Sequence, residues 1–73
     1  SYNLPKDERV RIIISDIMGK TIKTLVNNDQ TSGQKIIRWN ATNDQGNPVS
    51  AGLYFLTIDA GNFTETNKMI LLK

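Results

Sequence analysis

Apolar side chains recur at every second position along most of this chain, and turn-forming residues interrupt them at intervals of about ten. Residues 2–4 read as the tail of a first strand, stopped by Pro5, Lys6, Asp7 and Glu8. Val10, Ile12 and Ile14 alternate with Arg11, Ile13 and Ser15, which predicts a half-buried strand. Ile13 is an apolar outlier on its second face, free to contact a neighbouring element. Residues 16–20 predict a turn, in which Gly19 supplies the left-handed position of a tight corner. Residues 21–26 form the next strand, with Ile22 inward and Leu25 and Val26 competing for the other inward place. Residues 27–33 are polar apart from a glycine and predict an exposed loop.

Lys35, Ile37 and Trp39 share one face of a fourth predicted strand, with Ile37 and Trp39 inward and Ile36 and Arg38 opposite. Over residues 53–58, Tyr54, Leu56 and Ile58 share a face opposite Leu53, Phe55 and Thr57. Asp59, Ala60, Gly61 and Asn62 predict a hairpin turn. Residues 63–73 close the set, with Met69 and Leu71 on one face and Lys68, Ile70 and Leu72 on the other. No segment carries a 3.6-residue apolar stripe of helical length. The nearest, residues 16–26, is interrupted by Gly19 and by the β-branched Thr21, Ile22 and Thr24. The pattern predicts an all-β antiparallel sandwich of six or seven strands. Its core is assigned to Ile12, Ile14, Ile37, Trp39, Tyr54, Leu56, Met69 and Leu71.

Composition narrows the chemistry. A chain of 73 residues makes one small domain, near the size at which a single core is only marginally stabilising. It has no cysteine, so no disulfide and no thiolate metal site staples it. It has no histidine either, which removes the commonest general base and the commonest metal ligand. No catalytic, cofactor or metal site is expected, nor a small-molecule substrate. Nine Lys and Arg against seven Asp and Glu leave a net charge of +2, dispersed over separate segments. A nucleic-acid surface would cluster those cations and interleave stacking aromatics, so none is expected. The longest apolar run covers residues 69–72, against about 20 needed to span a bilayer. Ser1 opens on strand-like sequence with no signal peptide, as expected of a piece of a longer protein.

Between Trp39 and Gly52 lies a loop dense in Asn40, Asn43, Asp44, Gly46, Asn47 and Pro48. Such residues bond to their own backbone, admit positive φ or fix φ, so the loop has a specified shape. It could hold calcium, but Asp44 is its only charged residue, and turn geometry is the better account. Trp39 could stack on a sugar with Tyr2, Tyr54 and Phe55, as in a carbohydrate-binding module. Its phase with Ile37 favours a place in the core instead. Asn40 and Asn62 head glycosylation-type triplets at turns, where Asn is wanted anyway. Asp7 and Glu8 are adjacent carboxylates that an extended chain points to opposite sides, so they cannot act as a pair.

Taken together, these positions form a recognisable series. It runs through Leu4 and Pro5, the strand from Val10, Met18 and Gly19, Leu25, Gly33, and Ile37 with Trp39 and Asn40. It continues through Asp44, Gly46, Pro48 and Val49, Gly52 and Tyr54, and the ending Lys68, Met69, Ile70, Leu71, Leu72, Lys73. In order and spacing the series resembles the C-terminal sorting domain of proteins exported by the bacterial type IX secretion system. It also resembles the related immunoglobulin-like domain of the flagellar hook-capping protein. Where those domains usually carry Asp and then Gly after the Trp, this chain carries Asn40 and Ala41.

The resemblance implies one immunoglobulin-like sandwich over residues 1–73, non-catalytic, at the C-terminus of a larger exported protein. Its implied role is to direct an attached N-terminal cargo domain across the outer membrane to the surface or medium, by way of the periplasm. The implied partners are the secretion machinery and a sortase-type peptidase, with Lys68 and Lys73 as candidate contacts. Edge protection of the last strand would explain the same two lysines without any partner. The alternative function is a structural or spacer module of an extracellular assembly, as in hook capping.

Overall fold

The computed structural model describes residues 2–73 and contains six strands and no helix. In chain order they are β1 (Tyr2–Leu4), β2 (Glu8–Ser15), β3 (Thr21–Gln30), β4 (Gly33–Lys35), β5 (Gly52–Ala60) and β6 (Phe63–Leu71). The fold is a small immunoglobulin-like antiparallel β-sandwich. One sheet has four strands in the order β3-β2-β5-β6, and the other pairs β1 with β4 alone.

The core lies where the two central strands of the large sheet meet the small one. In the β2–β5 register Val10 faces Ala60, Ile12 faces Ile58 and Ile14 faces Leu56. Alternation sends these side chains to one side of the pleat, and Leu4 of β1 joins Val10, Ile12, Ile58 and Ala60 in one cluster. Leu4, Val10, Ile12, Ile14, Tyr54, Ile58 and Ala60 are buried. Ile37 and Leu56 are half-buried and packed against this cluster, and Trp39, Met69 and Leu71 are half-buried. No buried side chain among the described residues is polar.

Four boundaries differ from the sequence expectation, each for a physical reason. The loop predicted over residues 27–33 belongs largely to β3, because Asn27, Asn28, Asp29 and Gln30 pair with Arg11, Val10, Arg9 and Glu8. Backbone pairing carries the ladder on after the apolar side chains end. Along β3 the register shifts opposite Ile12/Ile13 and Ile14/Ser15, leaving Leu25 and Ile22 as extra residues. The first of these bulges lets Leu25 and Val26 both pack against the core, although strict alternation would admit one of them. The predicted strand through Ile37 and Trp39 stops at Lys35, which pairs with Tyr2, the first described residue of β1. Ile36 and Arg38 remain exposed and Ile37 and Trp39 half-buried beyond it, so alternation outlasts the ladder. Finally, the last strand ends at Leu71, short of Lys73, and the preceding turn shrinks to Gly61 and Asn62.

Turn chemistry fixes the corners. At the β2–β3 turn the Asp16 carboxylate accepts the backbone N–H groups of Met18 (2.9 Å) and Lys20 (3.0 Å). Gly19, at φ +82°, donates its N–H to the Asp16 carbonyl. Asp7 ties the β1–β2 corner to the approach to β4 by accepting the Ser32 N–H at 2.8 Å.

Candidate functional site

The loop between β4 and β5 is built from its own Asx residues. Asn43 Oδ1 accepts the N–H groups of Gln45 and Asn47, each at 3.0 Å. Main-chain bonds from Asn43 N–H to the Asn47 carbonyl and from Gly46 N–H to the Asn43 carbonyl close the turn. Val49 N–H reaches the Ala41 carbonyl, and Thr42 forms a bridge to Pro48. Asp44 then fastens this turn to β3. Its N–H donates to the Ile22 carbonyl at 3.0 Å, and its carboxylate accepts the Thr24 N–H at 2.9 Å. The loop thus covers part of an otherwise open sheet edge, a common guard against edge-to-edge pairing.

These bonds decide the role of the loop oxygens. The Asp44 carboxylate is aimed at a backbone N–H, the Asn43 amide oxygen at two more, and the Asn43 carbonyl also accepts the Lys23 ammonium at 3.2 Å. No group of three or more potential metal-ligating side chains occurs among the described residues.

Ala41 holds φ +61°, the one positive value among the described residues other than glycine. A side chain there is strained by about 1–2 kcal/mol, partly offset by the smaller chain entropy that alanine loses on folding. Ala41→Gly should therefore stabilise the domain by about 0.5–1 kcal/mol. Calorimetry should show a melting temperature higher by about 4 °C. A lowered melting temperature would contradict the strain assigned to this residue.

Trp39 stands at the root of the loop. Its indole N–H donates to the Thr42 carbonyl at 2.8 Å, and its ring meets Tyr54 edge-on, with centroids 5.3 Å apart and planes at 70°. The Tyr54 hydroxyl in turn donates to the Ser50 carbonyl at 2.7 Å. The aromatic pair clasps the two ends of the loop against the sandwich. A depression of about 620 Å³ lies beside it, lined by Lys23, Leu25, Arg38 and Asn40 as well as Trp39. The four aromatic residues considered for sugar stacking do not converge there. Tyr2 packs against the core from β1, Tyr54 is buried, and Phe55 points to the opposite face of β5 from Tyr54.

Lys68 and Lys73 are both exposed. Lys68 sits opposite Phe55 on the outer side of edge strand β6, and Lys73 lies beyond the end of that strand. Exposed apolar side chains gather at the same end of the large sheet. Leu53 pairs with Ile70 across β5 and β6, and Leu72 follows them. The β2–β3 turn carries Ile17 and Met18, and its neighbouring Ser15 pairs with Phe55. Ile70, Met18 and Leu72 are 69%, 85% and 83% exposed, a feature that composition alone did not single out.

Comparison with known proteins places this geometry in a family. The model of the FlgD Ig-like domain matches residues 1–63, which include all of β1 to β5. No curated protein and no solved structure matches the chain. The match supports the hook-capping side of the expected resemblance and lends none to its type IX sorting side. The chain belongs to the FlgD Ig-like domain family.

Proposed function

We propose that the domain is a non-catalytic structural module of a flagellar-type extracellular assembly. It would space or join neighbouring parts of that assembly instead of directing a cargo for export. The observation that carries this proposal is the family match across residues 1–63, which holds five of the six strands. Residues 68–73, the last part of the series that resembles the sorting domain, lie outside the matched region.

The apolar end of the large sheet fits the proposed role. Leu53, Ile70, Leu72 and Met18 are large side chains left in water at the same end of the large sheet, where a neighbouring subunit or domain can bury them. The test is the double variant Leu53→Ser and Ile70→Ser in the full-length protein of its native host. Both residues are exposed, so the fold should keep its β-type circular dichroism and nearly all its stability. Electron microscopy should show surface appendages reduced in number or truncated. Normal appendages carried by a folded double variant would count against the role and this surface together.

A further inference from the structure

The small sheet does not cover the whole inner face of the large one. On β6 the inward positions are set by their partners: Phe63 opposite Ala60, Glu65 opposite Ile58 and Asn67 opposite Leu56. Ala60 and Ile58 are buried, yet Phe63 is 54% exposed and Glu65 and Asn67 are exposed. The cover therefore runs out between β5 and β6.

A cleft of about 590 Å³ occupies the uncovered place. Its walls include Tyr2 and Leu4 of β1, Ile58 and Ala60 of β5, and Phe63 and Glu65 of β6, with Lys6 and Glu8 also lining it. No β4 residue lines it, so it opens on the side of β1 away from β4. On that side no strand pairs with β1 among the described residues. An apolar floor and a free strand edge thus lie together.

We propose that this cleft binds an extended segment of another polypeptide, which adds to β1 as a third strand of the small sheet. A strand spaced about 4.8 Å from β1 would lie over the cleft and drop alternate side chains into it. Apolar residues at those positions would meet Ile58, Ala60 and Phe63. The rim specifies charge as well. Glu65 makes no ion pair among the described residues, and Glu8 has only Lys6, at 3.8 Å. The bound segment therefore carries a basic residue toward Glu65.

The probe is an acetylated, amidated hexapeptide of sequence Val-Thr-Lys-Thr-Val-Thr, whose two valines and lysine share one face, titrated into the 73-residue chain and followed by amide chemical shifts. Saturable shifts are expected at Asn3, Leu4, Phe63 and Glu65. A peptide with Glu in place of Lys should bind about threefold more weakly, the effect of one exposed ion pair. Glu65→Lys should reverse that preference, and this exposed substitution leaves the core intact. Proline in place of the threonine that follows the lysine should weaken binding further by removing a ladder donor. The proposal is overturned by absent or non-saturable shifts, or by shifts centred on β3 or on the outer side of β6. Equal binding of the Lys and Glu peptides overturns it too, as does self-association that produces the same shifts without peptide.

Discussion

Replacing Ile12 by Ala should destabilise the domain by roughly 2–5 kcal/mol and leave little of it folded at 37 °C. Ile12 is wholly buried at the middle of the large sheet, opposite Val26 on β3 and Ile58 on β5. The substitution removes three carbons that contact both neighbouring strands and leaves a cavity under Leu4, which the short β1 cannot fill by bending inward. A domain this small stands near the low end of the usual stability of about 5–15 kcal/mol, so the loss is a large fraction of the total. Urea unfolding followed by circular dichroism reads it directly. Ile12→Val supplies the graded control, at about 1 kcal/mol. A loss of less than 1 kcal/mol for Ile12→Ala would mean that the core is not centred on β2 and β5.

Trp39→Ala is the second large effect, at about 3 kcal/mol, the lower end of the range for removing a large aromatic. The residue is only half-buried, which keeps the cost from the upper end. What it loses is specific: the edge-on contact with Tyr54 and the indole bond to the Thr42 carbonyl. Trp39→Phe keeps a ring against Tyr54 but not the donor, and should cost about 1 kcal/mol. Hydrogen exchange sharpens the expectation. In Trp39→Ala the amides of Asn43, Gly46 and Val49 should lose protection before those of β2 and β5, because the loop is unclasped first. Unchanged loop protection would separate Trp39 from the loop and leave it an ordinary packing residue.

These two residues also show what could be read in the sequence. Ile12 was legible because β2 is a central strand with one buried face, where period 2 translates directly into burial. The same holds for Tyr54 on β5, whereas buried Ile58 shares its face but was not assigned to the core. Strand β3 was less legible, since the bulges at Ile22 and Leu25 break the alternation from which a face is read. Its polar half, Asn27 to Gln30 in pairing with β2, has no apolar signal at all; only the ladder reveals it.

The loop's turn character was plain in its Asx, Gly and Pro content. Its attachment to β3 through Asp44 was not, because that bond joins residues twenty apart in sequence. Ala41 was visible as a departure from the family pattern, and its positive φ gives the departure a physical meaning. The cleft beside β1 had no sequence signal. It arises from a mismatch in width between the two sheets, a property of the assembled sandwich.

Export of a reporter tests the structural role most directly against sorting. The chain would be fused behind a signal peptide and a folded reporter in a host competent for type IX secretion. Wild type would be compared with the double variant Lys68→Ala and Lys73→Ala. Both lysines are exposed, so each change should alter stability by no more than about 0.5 kcal/mol and the fusions should stay folded. A structural module predicts that both fusions remain in the periplasm in equal amounts. Surface delivery of the wild-type fusion, lost in the double variant, would contradict that role and restore sorting.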